Sequence, residues 1–274
     1  MKIAFIGAGN VARHLAVAFE SAGHQITEIY SRDANHSRWL ASMLYDVRLS
    51  PDLNFDESPA ELFVLAVPDD AMEEVVRQLV LPENAILVHT SGSKTLNELE
   101  KWVEIYSDVP VRTGVFYPLQ TFSKETPALS FESLPLCIEA SDKDTEEILV
   151  KLGQQMSRIV YLVSSQERRV LHVAAVFACN FTNYLLGVAK DITDAENLEF
   201  DLLKPLIRET IRKALSAEHP AQVQTGPARR GDLDTLALHL EYLTDKPELL
   251  ELYQLLTDSI QKSEPGLRRV PDSL

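Results

Sequence analysis

The chain is poor in cysteine, with two in 274 residues, Cys137 and Cys179. That excludes a disulfide framework. Both cysteines lie in apolar surroundings, Cys137 in an expected strand and Cys179 in an expected helix, and both are expected to be buried, reduced thiols. Net positive charge is lacking as well. With 26 Lys and Arg against 41 Asp and Glu, the formal charge is -15. Such a balance argues against nucleic acid and anionic membranes as partners. No apolar run reads as long enough to span a bilayer. Met1-Lys2 opens an apolar segment, but Asn10, Arg13 and His14 interrupt it too soon for a signal peptide. A cytoplasmic location is expected. Internal repeats and low-complexity segments are absent from the sequence, and no residue set is assigned to a metal.

What is there is organised around Met1–Ala22. Lys2-Ile3-Ala4-Phe5-Ile6 is a short apolar run, and Gly7-Ala8-Gly9-Asn10-Val11-Ala12 follows at once. Val11, Leu15, Ala18 and Phe19 then recur at helical spacing until Gly23. Strand, glycine turn and helix form the context in which G-x-G-x-x-A reads as a dinucleotide fingerprint. Gly7 turns the chain, Gly9 lets a pyrophosphate approach the backbone, and Ala12 lets the helix lie close to the strand. Free N–H groups at the helix start, including those of Asn10 and Val11, meet the anion.

A second strand is expected over Gln25–Tyr30, running into Ser31-Arg32-Asp33. Ser31 donates well to a phosphate and Arg32 pairs with one, which favours NADP over NAD. Asp33 is placed to cap the next helix. Further strands are expected at Glu61–Val67, Ala85–Val88, Leu134–Glu139 and Arg158–Val163. Helices are expected at Asn35–Tyr45, Ala71–Leu81 and Thr145–Met156, and Thr95 with Glu98 forms a capping box. Asp69-Asp70 is read as a helix start. The segment Val111–Phe122, aromatic and broken by Gly114 and Pro118, reads as neither clean strand nor helix. Tyr117 within it is a candidate substrate wall.

In a doubly wound sheet ligands sit beyond the carboxyl ends of the strands. Gly7–Ala12, Ala66-Val67-Pro68-Asp69 and His89–Ser93 should therefore converge. Ala66, Val67, Pro68, Ser91 and Gly92 are assigned to the cofactor, and His89 to the nicotinamide end or the substrate. From Ser164 the pattern turns all-helical. Ser164 and Glu167 make a second capping box, and Val170–Ala189 is a long apolar helix carrying His172, Asn180 and Asn183. At about 100° per residue, His172 and Asn183 fall about 20° apart around the axis. All three are candidates to border a substrate cleft, against the alternative of structural hydrogen bonds between helices. Later helices read as Phe200–Ala217, Leu233–Thr244 and Pro247–Lys262, with a frayed tail from Ser263. Thr225–Asp232, with Arg229 and Arg230, reads as a loop able to bind an anion, and Asp232 as a helix cap.

These motifs together resemble a little-characterised bacterial family of NADP oxidoreductase-like proteins. More distantly the chain is similar to deazaflavin-dependent NADP oxidoreductases, pyrroline-5-carboxylate reductases and 6-phosphogluconate or 3-hydroxyacid dehydrogenases. The resemblance implies an α/β fold: a Rossmann-like, doubly wound, mostly parallel sheet over 1–163, then an all-helical domain over 164–274. It implies NADP in the first domain, a small-molecule substrate at the junction and a homodimer built through the helical domain. One departure is plain. The hydroxyacid dehydrogenases carry a lysine four residues before an asparagine on the long helix, and four before Asn180 stands Val176. His172 and His89 are then the available acid/base groups. The expected activity is hydride transfer between nicotinamide and a small carbonyl, imine or hydroxy compound, with Asn180 orienting the substrate and Asn183, Tyr117, Arg229 and Arg230 binding it. The alternative is a dinucleotide-binding sensor or scaffold without turnover.

Overall fold

The computed structural model describes residues 1–124 and 129–263. Residues 264–274, which hold nearly all of the expected tail, lie outside the described residues. The chain divides into two compact units, Met1–Leu185 and Leu186–Leu274.

The first unit holds eight strands: β1 Lys2–Ile6, β2 Gln25–Tyr30, β3 Arg48–Leu49, β4 Leu62–Leu65, β5 Ile86–His89, β6 Arg112–Pro118, β7 Leu136–Ala140 and β8 Val160–Leu162. They form one sheet in the order β3-β2-β1-β4-β5-β6-β7-β8. Neighbours are parallel throughout except that β7 runs antiparallel to β6. The order reverses direction at β1, between β2 and β4. There the connections leave to opposite sides and open a crevice at the strand ends.

Helices α1 Asn10–Ser21, α2 Ala34–Ala41, α3 Met72–Gln78, α4 Leu96–Tyr106 and α5 Lys143–Gln154 connect the strands. They cover the sheet in two cores. One gathers Phe5, Leu15, Phe19, Ile29, Phe116 and Leu149, the other Ile6, Phe63, Leu65, Leu87, Leu99 and Trp102. Buried on both faces, β4 and β5 read as continuous apolar runs, as parallel strands do. Local caps fix the helix starts. Asp33 accepts from the Asn35 backbone N–H, Asp142 from Thr145, and the Thr95/Glu98 box closes in both directions.

Three expectations change here. Arg112–Pro118 is a regular strand, not an irregular loop. At Gly114 a Cβ would crowd Leu149 Cδ1 at 2.7 Å and the Glu139 carbonyl oxygen at 3.0 Å, so the strand packs closely there, and Pro118 falls at its end. The aspartates after β4 do not cap α3, whose N-cap is Ala71 without a side-chain bond. Cys179 is exposed, whereas Cys137 is buried.

After β8 the chain turns all-helical. Helix α6 Ser165–Ala175 opens on the Ser164/Glu167 capping box. It passes through a π-helical segment, Val176–Phe181, into α7 Thr182–Ala195. The contact boundary between the two units falls inside α7, 22 residues beyond the change in pattern at Ser164. Contrary to the sequence reading, the 31-residue stretch Ser165–Ala195 is long and apolar enough to cross a membrane by length and composition, and none of its apolar window is buried within the chain. His172, Asn180 and Asn183 interrupt the apolar run in sequence without ending the helix.

The second unit contains α8 Lys204–Ser216, the single turn α9 Pro227–Arg230, α10 Leu233–Tyr242 and α11 Pro247–Lys262. Pro205 sits in the first turn of α8, where no backbone N–H is lost. Gly231, in the left-handed region, ends α9, and Asp232 then caps α10 by accepting from Thr235 N–H at 3.2 Å.

Candidate functional site

The turn after β1 sets the site. Gly7 has φ +105°, and a Cβ there would lie 2.3 Å from the Ala66 carbonyl oxygen. Only glycine suits a position that is both strained and crowded. Gly9 differs. Its φ of -76° is open to any residue, and a Cβ would meet nothing within 4 Å. The backbone does not require glycine here; what the missing side chain leaves is space in front of the α1 N-terminus. Ala12 is fully buried against the sheet.

That space is one end of a cleft of about 430 Å³ beyond the ends of β1, β4, β5 and β6. Gly9, Asn10 and Val11 line one side. Ala66, Val67, Pro68 and Asp69 follow after β4, then Thr90, Ser91 and Gly92 after β5, and Tyr117, Gln120 and Phe122 on the strand and segment beyond. The three loops singled out in the sequence thus meet in one cleft, and His172 of α6 completes its lining. Asn10 Nδ2 donates to the Phe122 carbonyl at 3.2 Å, and the His14 ring stacks on Phe122 with centroids 5.0 Å apart. The segment after β6 is thereby fastened to the first turns of α1.

His172 and Tyr117 form a pair. The Tyr117 hydroxyl lies 3.1 Å from His172 Nδ1. Gly92 makes room for it, since a Cβ there would come within 2.5 Å of Nδ1 and 3.0 Å of the hydroxyl. Burial first, then the neighbouring Cys137, pushes Tyr117 up to about 12; the Arg168 guanidinium opposes this, and the charge of Asp69 adds the smallest contribution. Tyr117 therefore keeps its proton at neutral pH.

Arg168, one helical turn before His172, is the residue that sequence reasoning missed. It is fully buried. Its Nε donates to the Ser91 carbonyl at 3.1 Å, its Nη2 to the Lys94 carbonyl, and its Nη1 pairs with Glu139. Glu139 in turn accepts from Ser165 N–H at 2.9 Å and Ser165 Oγ at 2.7 Å. One guanidinium thus ties α6, β7 and the 91–94 loop together and sets the position of His172 over Gly92. The i, i+4 spacing of Arg168 and His172 behind a capping box was the available signal. Asp69, expected in a converging loop but given no role in the site, has its carboxylate held there: its Oδ2 accepts from Ser93 Oγ.

Other candidates stand elsewhere. His89 is wholly buried and does not line the cleft. Its Nδ1 accepts from the Ser91 N–H at 3.1 Å. Burial, and secondarily the Arg168 charge, hold it down at about 3, so it is a neutral turn-former and not an acid/base. Asn180 and Asn183 are exposed on this chain and outside the cleft. This part of the helix is uncovered on every side, and the π segment also changes the phase. It admits one extra residue per turn, which sets the phase back by about 100°. His172 and Asn183 then fall about 80° apart, not 20°. Ser31 and Arg32 stand at the end of β2, Arg32 exposed. Arg229 and Arg230 belong to the second unit, where Arg230 lies 3.7 Å from Asp232.

Comparison with known proteins agrees with this architecture. Residues 1–105 match a Rossmann-like domain and residues 134–260 a domain of unknown function, DUF2520. A glycerol-3-phosphate dehydrogenase [NAD(P)+] of Thermoanaerobacter is 28% identical over 132 residues, 42% of this chain and 40% of that protein. The chain thus matches well under half the length of this curated relative. An imine reductase of Myxococcus stipitatus, solved with NADP+, shares the fold at TM-score 0.60 and 16% identity, covering 96% of this chain and 92% of the other. A structure from Bacteroides fragilis, provisionally described as an NADP oxidoreductase, matches at TM-score 0.86 and 39% identity over 95% of this chain and 98% of the other. With that identity over nearly the whole of both chains, the protein belongs to the family of the Bacteroides fragilis protein, a Rossmann-like domain followed by DUF2520.

Proposed function

We propose that the chain is an NADP-dependent oxidoreductase acting on a small carbonyl, imine or hydroxy compound in the cleft beside His172. The observation that carries this reading is Gly9, a glycine with ordinary backbone angles and open space in front of a helix N-terminus. The names of the Bacteroides fragilis and Thermoanaerobacter relatives support it.

The pyrophosphate would lie against Gly7, Gly9, Asn10, Val11 and Ala12, where the first-turn N–H groups and the dipole of α1 favour an anion. Ser31 and Arg32 would take the 2′-phosphate. Ala66, Val67, Pro68, Ser91 and Gly92 would flank the rest of the dinucleotide. When bound, the nicotinamide supplies or accepts the hydride. His172 is the proton-exchanging group, its Nδ1 held by Tyr117 and its Nε2 left for the substrate. Arg168 positions the helix that carries it.

Calorimetric titration with NADPH and NADH, alongside Arg32→Ala, tests this. NADPH should bind at least tenfold tighter, and the variant should lose that preference, a difference of about 1.4 kcal/mol. Binding of neither nucleotide would sink the reading.

The same proposal includes a homodimer. Val170, Val173, Phe177, Phe181 and Tyr184 are all about half exposed or more along one helix, an apolar surface larger than single chains leave to water. The family resemblance supports a second copy as its cover. Sedimentation equilibrium should give twice the chain mass, and a monomer at micromolar concentration would overturn it.

A further inference from the structure

The charge of the cleft differs from what an anionic substrate needs. No lysine or arginine lines it among the described residues, and its one carboxylate is Asp69. The neighbouring cations are already engaged. Arg168 is buried and paired with Glu139. Lys94 pairs with Glu98 at 3.3 Å. Arg169 reaches the Ser93 carbonyl at 3.5 Å.

Asp69 itself is held, not loose. Ser93 Oγ donates to its Oδ2. Ser93 is fixed in turn, because Ser91 Oγ accepts the backbone N–H groups of Ser93 at 3.0 Å and of Lys94 at 2.9 Å. Oδ1 has no partner among the described residues. A carboxylate set in a defined place, with one oxygen free and no cation in the same cleft, is arranged to accept a positively charged donor. It repels a carboxylate or phosphate brought to the same place. The charge of Asp69 also reaches Tyr117, where it is the smallest of the contributions and acts against the larger one of the buried Arg168 guanidinium. Asp69 therefore lies within electrostatic range of the Tyr117–His172 pair.

We infer that the substrate is a small organic cation, an ammonium or a protonated imine, whose nitrogen is bound by Asp69 Oδ1. This deepens the oxidoreductase reading and rests on it, since the cation is placed beside the nicotinamide end of the same cleft. Of the three substrate chemistries proposed above, it selects the nitrogen compound and excludes 2-oxo and 2-hydroxy acids.

The test uses the full chain, first titrated with NADP+ by calorimetry and then with three probes of similar size in the presence of NADP+. The probes are piperidine, cationic at neutral pH, its neutral counterpart tetrahydropyran, and cyclohexanecarboxylate. Piperidine should bind at least tenfold tighter than tetrahydropyran, and the carboxylate should show no heat. Asp69→Asn keeps the acceptor for Ser93 and the shape of the cleft, and should reduce the cation preference to within twofold. Ser93→Ala frees the carboxylate to move and should weaken piperidine binding several-fold without abolishing it. Carboxylate binding equal to piperidine, a preference that survives Asp69→Asn, or no piperidine binding to the NADP+-loaded chain would each overturn the inference. Failure of NADP+ itself to bind would instead strike the oxidoreductase reading, so the two failures are told apart in the first titration.

Discussion

Gly7 and Gly9 stand two residues apart, and the structure gives them different work. Changing each in turn separates fold from binding. At Gly7 an alanine would adopt φ +105°, which costs an L-residue roughly 1–2 kcal/mol. Its Cβ would also lie 2.3 Å from the Ala66 carbonyl oxygen, a backbone atom of the neighbouring strand end. Relief of that overlap costs about 1–3 kcal/mol by analogy with overpacked cores. Gly7→Ala should therefore lose roughly 3 kcal/mol, on the order of 6–12 °C in melting temperature for a domain of this size. Gly9 carries neither liability. Gly9→Val should lower stability by no more than about 1 kcal/mol, the weaker N-cap residue at the start of α1 being partly offset by restriction of the unfolded state. It fills the space before α1, however, and NADPH affinity should fall at least a hundredfold, about 2.8 kcal/mol. Melting curves and calorimetry on the two variants give four numbers. A Gly9→Val protein that binds NADPH like the wild type would refute the reasoning, because the space at Gly9 would then not be where the pyrophosphate lies.

Three further outcomes are expected. Gly92→Ala places a Cβ 2.5 Å from His172 Nδ1, so the imidazole must leave Tyr117; kcat/KM on an amine or imine substrate should drop about a hundredfold. An unchanged imidazole 15N spectrum would contradict the clash. Arg168→Met strands Glu139 beside β7 and should cost about 3–5 kcal/mol in urea unfolding, part of it recovered by adding Glu139→Gln; a loss below about 1 kcal/mol would show the clamp to be unimportant. His89 titrates at about 3 when folded and near 6.5 unfolded, so the folded state binds fewer protons in between. Its contribution is full above pH 6.5 and is lost as pH falls toward 3, by at most about 1.4 kcal/mol per pH unit. Between pH 6.5 and 4.5 the wild type should thus lose up to about 2.7 kcal/mol more than His89→Asn, and equal losses would remove His89 from the account.

Features that were legible in the sequence are those decided within a few residues. The strand, turn and helix of Lys2–Ser21 follow from glycine placement and apolar spacing. The two capping boxes and the caps at Asp33 and Asp232 follow from side chains bonding to backbone one turn away. Features decided by distant partners were not legible. The strand Arg112–Pro118 contains a glycine and a proline that argue against a strand locally, and it is held by pairing with Ile86–His89 on one side and Leu136–Ala140 on the other. Asp69 looked like a helix start and is instead fixed by a serine 24 residues on. His89 looked like a ligand because it is polar and ends a strand, but the strand end is buried and its Nδ1 accepts from the Ser91 N–H.

The long helix shows how one backbone irregularity moves chemistry from one face to another. A uniform 100° per residue put His172 and Asn183 on a common stripe. The π turn at Val176–Phe181 breaks that phase between them. N-terminal to it, the helix is bound to the sheet through Arg168, and His172 reaches the cleft. C-terminal to the start of the π turn, Phe177, Cys179, Asn180, Phe181, Asn183 and Tyr184 face away from any cover this chain provides. The asparagines and the aromatic residues thus belong to the same exposed stretch. The two polar groups that seemed to belong to the catalytic face are placed with the apolar residues that a second copy would bury. In the proposed homodimer Asn180 and Asn183 find their hydrogen-bond partners, and Asn183→Leu should loosen the dimer by stranding them while leaving NADPH binding at the opposite end of the helix unchanged. A variant that weakened substrate binding and left the dimer constant untouched would return Asn183 to the substrate cleft and would contradict the phase break.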